Sequence, residues 1–382
     1  MARTKHTPKN KRTVWKTAQY VENNSTHDKD FSEKLSRFLD SFAVNKQVTE
    51  FRRKIMYSYE LEMTLTRKTL GLNRRTYIFG SQIEGTSSIG MNSDADFLQS
   101  FETFRLFLDS DIPHLQQNDH QVVIKVSTNS CATQYCVLTM IEPATQAKRF
   151  QQLDPNHDAV DIVIFFRRDW MQHDGMIPHT IMFGTLDHHL SILKQAKRHG
   201  PAKSIRNMDS VNACYCKSLP KQCKFFFERP RPGNWPSEKT LTKAKKYDVF
   251  IVPQGPPKST NVCTYDYFDY QWRISTNLTE RLLMFSLDTV HLKAYTLTKM
   301  IRKEFFVPEY LERLSTFHFK TAFFFTVENT RPDVWREDNL INCVKYIFAT
   351  LMRFLKRRHC PHYTIENVNL FEGKIQIHEF QK

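Results

Sequence analysis

Gly80-Ser81-Gln82-Ile83-Glu84-Gly85 follows the short apolar run Tyr77-Ile78-Phe79 and precedes Asp94-Ala95-Asp96, which leads into Phe97-Leu98. Alternation along a strand puts Asp94 and Asp96 on one face, so both carboxylates can hold the same pair of divalent ions. Two such ions about 3.5–4 Å apart clamp the attacking and leaving oxygens of a phosphoryl transfer. Gly80 lets the backbone approach a phosphate closely, and the Ser81 hydroxyl can donate to it. An Asp-x-Asp pair also arises in solvated acidic loops, so the rest of the chain decides between the two readings.

A chain of 382 residues with 40% hydrophobic and 13% aromatic content is large enough for one big domain or two lobes with a real core. It contains no run of about 18 apolar residues, so no membrane span is expected. Residues 1–16 are basic and polar without an apolar segment, unlike a secretory signal. The net charge of +15, from 55 Lys and Arg against 40 Asp and Glu, favours a polyanionic partner. The eight cysteines form neither a paired framework nor a Cys-x-x-Cys motif, which predicts free thiols in a reducing compartment, the cytoplasm. Cys214, Cys216 and Cys223 near His199 have zinc-ligand chemistry. Strand alternation instead makes Cys214 and Cys216 two core residues on one face.

Residues 1–24 read as a basic disordered arm. Asp30-x-x-Glu33 reads as a capping box before a helix whose face is Phe31, Leu35, Phe38, Leu39 and Phe42. A longer helix is expected over about 48–68, with Phe51, Ile55, Tyr59 and Met63 at helical spacing and Arg52, Arg53, Lys54, Arg67 and Lys68 on its back. Strands are expected at 77–79, 122–126, 135–141, 160–166, from Asp209 onward, and at 249–253. A helical stretch is expected at about 186–198, and three amphipathic helices at 278–305, 311–328 and 338–356. The expected class is α+β: a mixed-sheet palm with a long N-terminal spine helix over 25–270, a helical lobe over 271–382, and the active site in the cleft between them.

Five ordered segments carry a family resemblance. They are Gly80-Ser81 with Asp94-x-Asp96; His199-Gly200-Pro201, Asp209-Ser210-Val211, Leu219-Pro220 and Asn234-Trp235-Pro236; Gln271-Trp272-Arg273-Ile274-Ser275 with Glu280; Leu314 to Ala322; and Pro361-His362-Tyr363-Thr364 with Asn369-Leu370-Phe371. In this order they resemble the cyclic GMP–AMP synthase-like receptors, bilobal nucleotidyltransferases of animal innate immunity, over about residues 30–375.

The resemblance implies an enzyme that senses double-stranded nucleic acid and joins two nucleoside triphosphates, such as ATP and GTP, into a cyclic dinucleotide. Asp94, Asp96 and Asp209 would hold two Mg²⁺ or Mn²⁺ ions, with Asp209 also orienting or deprotonating the attacking ribose hydroxyl. Pattern alone leaves Asp161 open as the third carboxylate; the flanking segments favour Asp209. Gly80 and Ser81 would bind the triphosphate. Arg273, Ser275 and Glu280 match one nucleotide-contacting segment; Thr316, Phe317 and Lys320 match a second. Lys299, seven residues after Leu292, matches a phosphate-contacting lysine. Phe317 stands where the founding enzyme has a tyrosine; its ring can still stack on a base. Between Glu280 and Ser315 there is one His and no Cys, so no structural zinc is expected.

The founding enzyme carries a zinc-binding Cys/His insertion between the two nucleotide-contacting segments. Members without it often respond to double-stranded RNA, the preferred partner here, with double-stranded DNA as the alternative and a ligand-dependent oligomer allowed. Phosphate contacts give affinity without sequence reading. The candidates are Arg52, Arg53, Lys54, Lys194, Lys197, Arg198, Lys203 and Arg206. Two other readings stay open: a catalytically silent nucleic-acid-binding relative, and a polymerase making linear oligonucleotides on the same palm.

Overall fold

The computed structural model describes residues 26–87, 95–109, 122–129, 131–141, 176–179, 197–205, 208–257, 269–310 and 313–381. Helices α1 (Thr26–Ser41) and α2 (Lys46–Thr69) lead into β1 (Arg74–Phe79), the short helix α3 (Gly80–Glu84) and the long strand β2 (Ala95–Leu108). Then come β3 (Val122–Ser127), β4 (Tyr135–Met140), β5 (Lys197–His199), β6 (Ala202–Ile205) and β7 (Met208–Cys216). Two helices, α4 (Lys221–Glu228) and α5 (Glu238–Ala244), precede β8 (Val249–Val252) and β9 (Gln271–Ser275). The rest is helical: α6 (Asn277–Phe285), α7 (Thr289–Ile301), a π turn (Arg302–Phe306), α8 (Val307–Tyr310), α9 (Thr316–Asn329) and α10 (Leu340–Lys356).

The nine described strands form one mixed sheet in the order β1-β2-β3-β4-β9-β8-β7-β6-β5, with β2 also paired to β7. At 14 residues, β2 is long enough to serve three partners. Its first half runs antiparallel to β1 and parallel to β7; its second half runs parallel to β3. The β2–β7 pairing therefore closes β2-β3-β4-β9-β8-β7 into a ring. The register shifts between Phe101 and Leu106, an irregularity of the kind that bends a strand. Cys214 and Cys216 are buried in the sheet's core beside Trp272 and Ile274, two same-face residues as their alternation predicts.

Several expectations change. Gln271–Ser275 lies inside the sheet between β4 and β8, so the helical part begins at α6 and not at residue 271. The nearly continuous burial of this strand is that of one covered on both faces. The helical core also recruits Leu39, Val44, Phe226, Leu241 and Ala244 from α1, α4, α5 and the α1–α2 turn. The expected helix over 278–305 is two: Asp288 caps α7 by accepting from the His291 N–H at 3.1 Å. Lys197 and Arg198, expected to end a helix, lie in β5.

Helix α1 buries only part of the expected face, Leu39 with Leu35 packed beside it, and α2 buries a different face. In α1 the buried residues are Ser32, Ser36 and Leu39, while Phe31 and Phe38 are exposed. Ser36 accepts from Lys293 Nζ at 2.7 Å and Ser32 from the Ile341 N–H at 3.2 Å. Asp30 lies within α1 and pairs with Lys34 at 2.7 Å instead of opening a capping box. In α2 the inward face is polar. Thr64 Oγ1 accepts from the Thr76 N–H at 3.0 Å, and Glu60 Oε2 accepts from the Ile78 N–H at 2.8 Å and from Arg281 Nη1 at 2.6 Å. β1 is an edge strand whose outward N–H groups need acceptors, and α2 supplies them. Phe51, Ile55 and Tyr59 consequently face outward.

Candidate active site

Asp96 sits near the start of β2, opposite Phe79 of β1 on one side and Asp209 of β7 on the other. In-register residues on neighbouring strands share a face, and the strands lie about 4.7–4.9 Å apart. The two carboxylates therefore project together into a cavity of about 310 Å³. Sheet and helices both wall it: Gly80, Ser81 and Glu84 from α3, Arg273 and Ser275 from β9, Glu280 from α6, Lys299 from α7, and Thr316, Phe317 and Lys320 from α9. Every expected nucleotide-contacting residue thus lines one space. Asp94 and Asp161 lie outside the described residues, as do Lys194 and Arg206.

Gly80 is held at φ +78°, and a Cβ built there would overlap the Asp96 carboxylate. Its missing side chain makes room for the Asp96 carboxylate, a close approach other than the phosphate contact expected of Gly80. Ser204, across from Asp209 in the β6–β7 hairpin, donates its hydroxyl to Asp209 Oδ1.

The cations face this pair. Lys299 Nζ donates to Ser81 Oγ at 2.6 Å and to the Thr86 carbonyl at 2.9 Å. Burial pushes Lys299 down to about 8, against the opposing pull of Glu84 and Asp96. Lys320 Nζ lies 2.5 Å from Glu84 Oε1 and 3.9 Å from Glu280 Oε2. Burial also disfavours the Lys320 ammonium, but the two carboxylates outweigh it and raise its pKa. Burial raises Glu280, with Lys320 opposing. Burial lowers Arg273, with Tyr135 and Glu280 opposing.

A second cavity of about 620 Å³ adjoins the first and shares Arg273, Ser275, Asn277, Glu280 and Phe317 with it. The Phe317 ring lies 5.5 Å from that of His362. Burial, with Arg273 and Arg229 nearby, pushes His362 down to about 3. Its Nδ1 accepts from the Thr364 N–H at 3.2 Å, which leaves the ring proton on Nε2.

Sequence reasoning gave no role to Glu84, Ser204 or His362. Glu84 lay within the quoted Gly-Ser motif and His362 within a resembling segment, but Ser204 carried no signal. The candidate RNA contacts divide. Arg52 donates to the Ser87 carbonyl; Arg53 donates to the Glu84 carbonyl at 3.2 Å and to that of Met284 at 3.3 Å. Both tie α2 to the end of α3 or the residues just after it, and burial lowers Arg53. Lys54 is exposed and Lys203 half-buried.

Mg²⁺ and Mn²⁺ favour hard oxygen donors, with Mg²⁺ commonly held by one or two carboxylates. Asp96 and Asp209 fit that chemistry. Among the described residues no group of three or more His, Cys, Asp and Glu could hold a metal. Nor is any described helix long and apolar enough to cross a membrane.

A mixed α+β architecture with a carboxylate pair facing a helical part is compatible with a nucleotidyltransferase-like fold. Residues 291–381 match the Mab-21 protein HhH/H2TH-like domain, the helical domain of a nucleotidyltransferase-like family. The match takes in nearly all of α7 through α10 and none of the sheet.

Proposed function

We propose that this protein is a metal-dependent nucleotidyltransferase that joins two nucleoside triphosphates into a cyclic dinucleotide, with double-stranded RNA as its activator. The observation that carries the reading is the in-register pair Asp96 and Asp209, set on one face and opposed by Lys299 and Lys320 across one cavity. Divalent ions held by the pair would polarise phosphoryl oxygens and make a sugar hydroxyl a competent nucleophile.

The chain's own residues do the rest. Lys299, now bonded to Ser81 and Thr86, exchanges these neutral acceptors for triphosphate oxygens, to which charged hydrogen bonds are stronger. Lys320 stays compensated by Glu84 until a phosphate competes for it. Phe317, at the junction of the two cavities, offers a ring for base stacking. Arg273 beside it offers a planar fork of donors to base edges or phosphate. Asp209 stands beside the attacking hydroxyl to take its proton. A bond from that oxygen to the α-phosphorus forms, the α–β bridge breaks, and pyrophosphate leaves; a second such transfer closes the ring. RNA as activator is supported by the family resemblance and by the surplus of positive charge.

The test is to incubate the full chain with four ribonucleoside triphosphates and Mg²⁺ or Mn²⁺, without ligand, with double-stranded RNA or with double-stranded DNA. A cyclic dinucleotide formed only with RNA supports the whole reading. Formation with DNA moves the activator, linear products move the reaction to polymerisation, and RNA binding without product leaves a silent binding protein.

A further inference from the structure

Helix α2 is amphipathic in the reverse sense. Its inward face carries Arg53, Glu60, Thr64 and Arg67, whose contacts go to β1, α3 and α6. Its outward face carries Phe51, Ile55, Leu61 and Leu65, exposed at 63%, 44%, 60% and 54%. At 3.6 residues per turn these four fall in one stripe, directly opposite the polar face. The stripe consists of two apolar pairs, Phe51 with Ile55 and Leu61 with Leu65, on either side of Lys54, Ser58 and Glu62. Exposed apolar side chains grouped in this way mark a candidate interaction site, and no described residue covers them. A duplex backbone has no use for the two apolar pairs or for the Glu62 carboxylate between them.

The stripe is symmetric about its middle residue. Phe51 and Leu65 lie equally far from Ser58, as do Ile55 and Leu61, and as do Lys54 and Glu62. Lys54, Ser58 and Glu62 are all exposed. We propose that α2 of one copy packs antiparallel on α2 of a second copy, about a twofold axis through Ser58. An isologous contact requires a patch complementary to itself. Here Phe51 meets Leu65 of the partner subunit, and Ile55 meets Leu61 of the partner subunit. Lys54 meets Glu62 of the partner subunit, twice per dimer. The small side chain of Ser58 lets the two helices approach at the crossing point. Parallel packing would instead set Lys54 against Lys54 of the partner subunit and Glu62 against Glu62 of the partner subunit, and like charges facing one another disfavour it. The stripe is about 21 Å long, enough for a concentration-dependent dimer.

The proposal is tested by sedimentation velocity on the full chain over a micromolar concentration series. Wild type shifts from monomer to dimer. Lys54→Glu and Glu62→Lys each weaken association by roughly tenfold or more, because each places like charges together twice. The double variant Lys54→Glu/Glu62→Lys restores it, and a mixture of the two single variants forms a mixed dimer that neither forms alone. All these positions are exposed, so folding is preserved; Leu61→Asp, with an unchanged far-UV spectrum, abolishes the dimer. Under a mild thiol oxidant, Ser58→Cys yields a disulfide-linked dimer that wild type does not. A chain that stays monomeric throughout, or a dimer indifferent to both single charge reversals, overturns the proposal.

Discussion

Gly80 and Asp96 compete for one small volume: the backbone of Gly80, at φ +78°, passes so close to the Asp96 carboxylate that any Cβ would overlap it. The glycine that opens α3 is therefore what lets the Asp96 carboxylate stand beside Asp209. Gly80→Ala adds a left-handed conformation costing about 1–2 kcal/mol and displaces the carboxylate. We expect a fall in melting temperature of a few degrees and a far larger loss of nucleotidyl transfer. Wild-type turnover in this variant would show that the position of Asp96 is immaterial.

Lys299 gives a pH signature. Burial depresses it to about 8 from an ordinary 10.5. Below the folded value both states carry the proton, and the full cost of a buried ammonium is present. Between the two values the unfolded chain binds the extra proton, so stability rises with pH across that window. The cost relieved is on the order of 3 kcal/mol. Lys299→Met removes the group, so wild type gains stability relative to the variant between about pH 7 and about pH 10. Urea denaturation of both proteins at the two pH values measures this; parallel pH dependences would contradict it.

In the helical part, Glu328 Oε2 accepts from Arg229 Nη2 at 2.8 Å, from Arg229 Nε at 3.1 Å and from the Tyr363 hydroxyl at 2.6 Å. Glu328→Gln leaves the Arg229 guanidinium without its counter-charge inside an aromatic cage that includes Phe325 and Tyr363. A loss of about 3–5 kcal/mol is expected, as for other buried pairs broken on one side. Equilibrium denaturation checks it, and a loss within error of zero would mean that the site relaxes or admits water.

Much of this was legible in the sequence because its signals are local. The Gly-Ser turn, the strand from Asp209 and the same-face cysteines Cys214 and Cys216 depend on neighbours along the chain. The register that sets Asp96 against Asp209 joins segments far apart and leaves no mark in either one. Apolar periodicity finds Leu35 and Leu39 on α1 but misses the polar inward faces of α1 and α2, because it counts only apolar residues. Here Ser32, Ser36, Glu60 and Thr64 face inward to satisfy backbone and lysine groups. Arg52 and Arg53 read as candidate phosphate contacts on the helix back for the same reason, although their partners are the carbonyls of Ser87, Glu84 and Met284. Gln271–Ser275 reads as the start of the helical lobe because Arg273 lines the cavity that the helices also wall, while its backbone belongs to the sheet.

The central claim is that Asp96 and Asp209 together hold the ions for nucleotidyl transfer. The most direct test compares wild type with Asp96→Asn and Asp209→Asn for cyclic dinucleotide formation under activating conditions, alongside melting temperature and RNA binding. The account predicts that each near-isosteric change abolishes product while folding and RNA binding persist. Substantial product from either variant would contradict it.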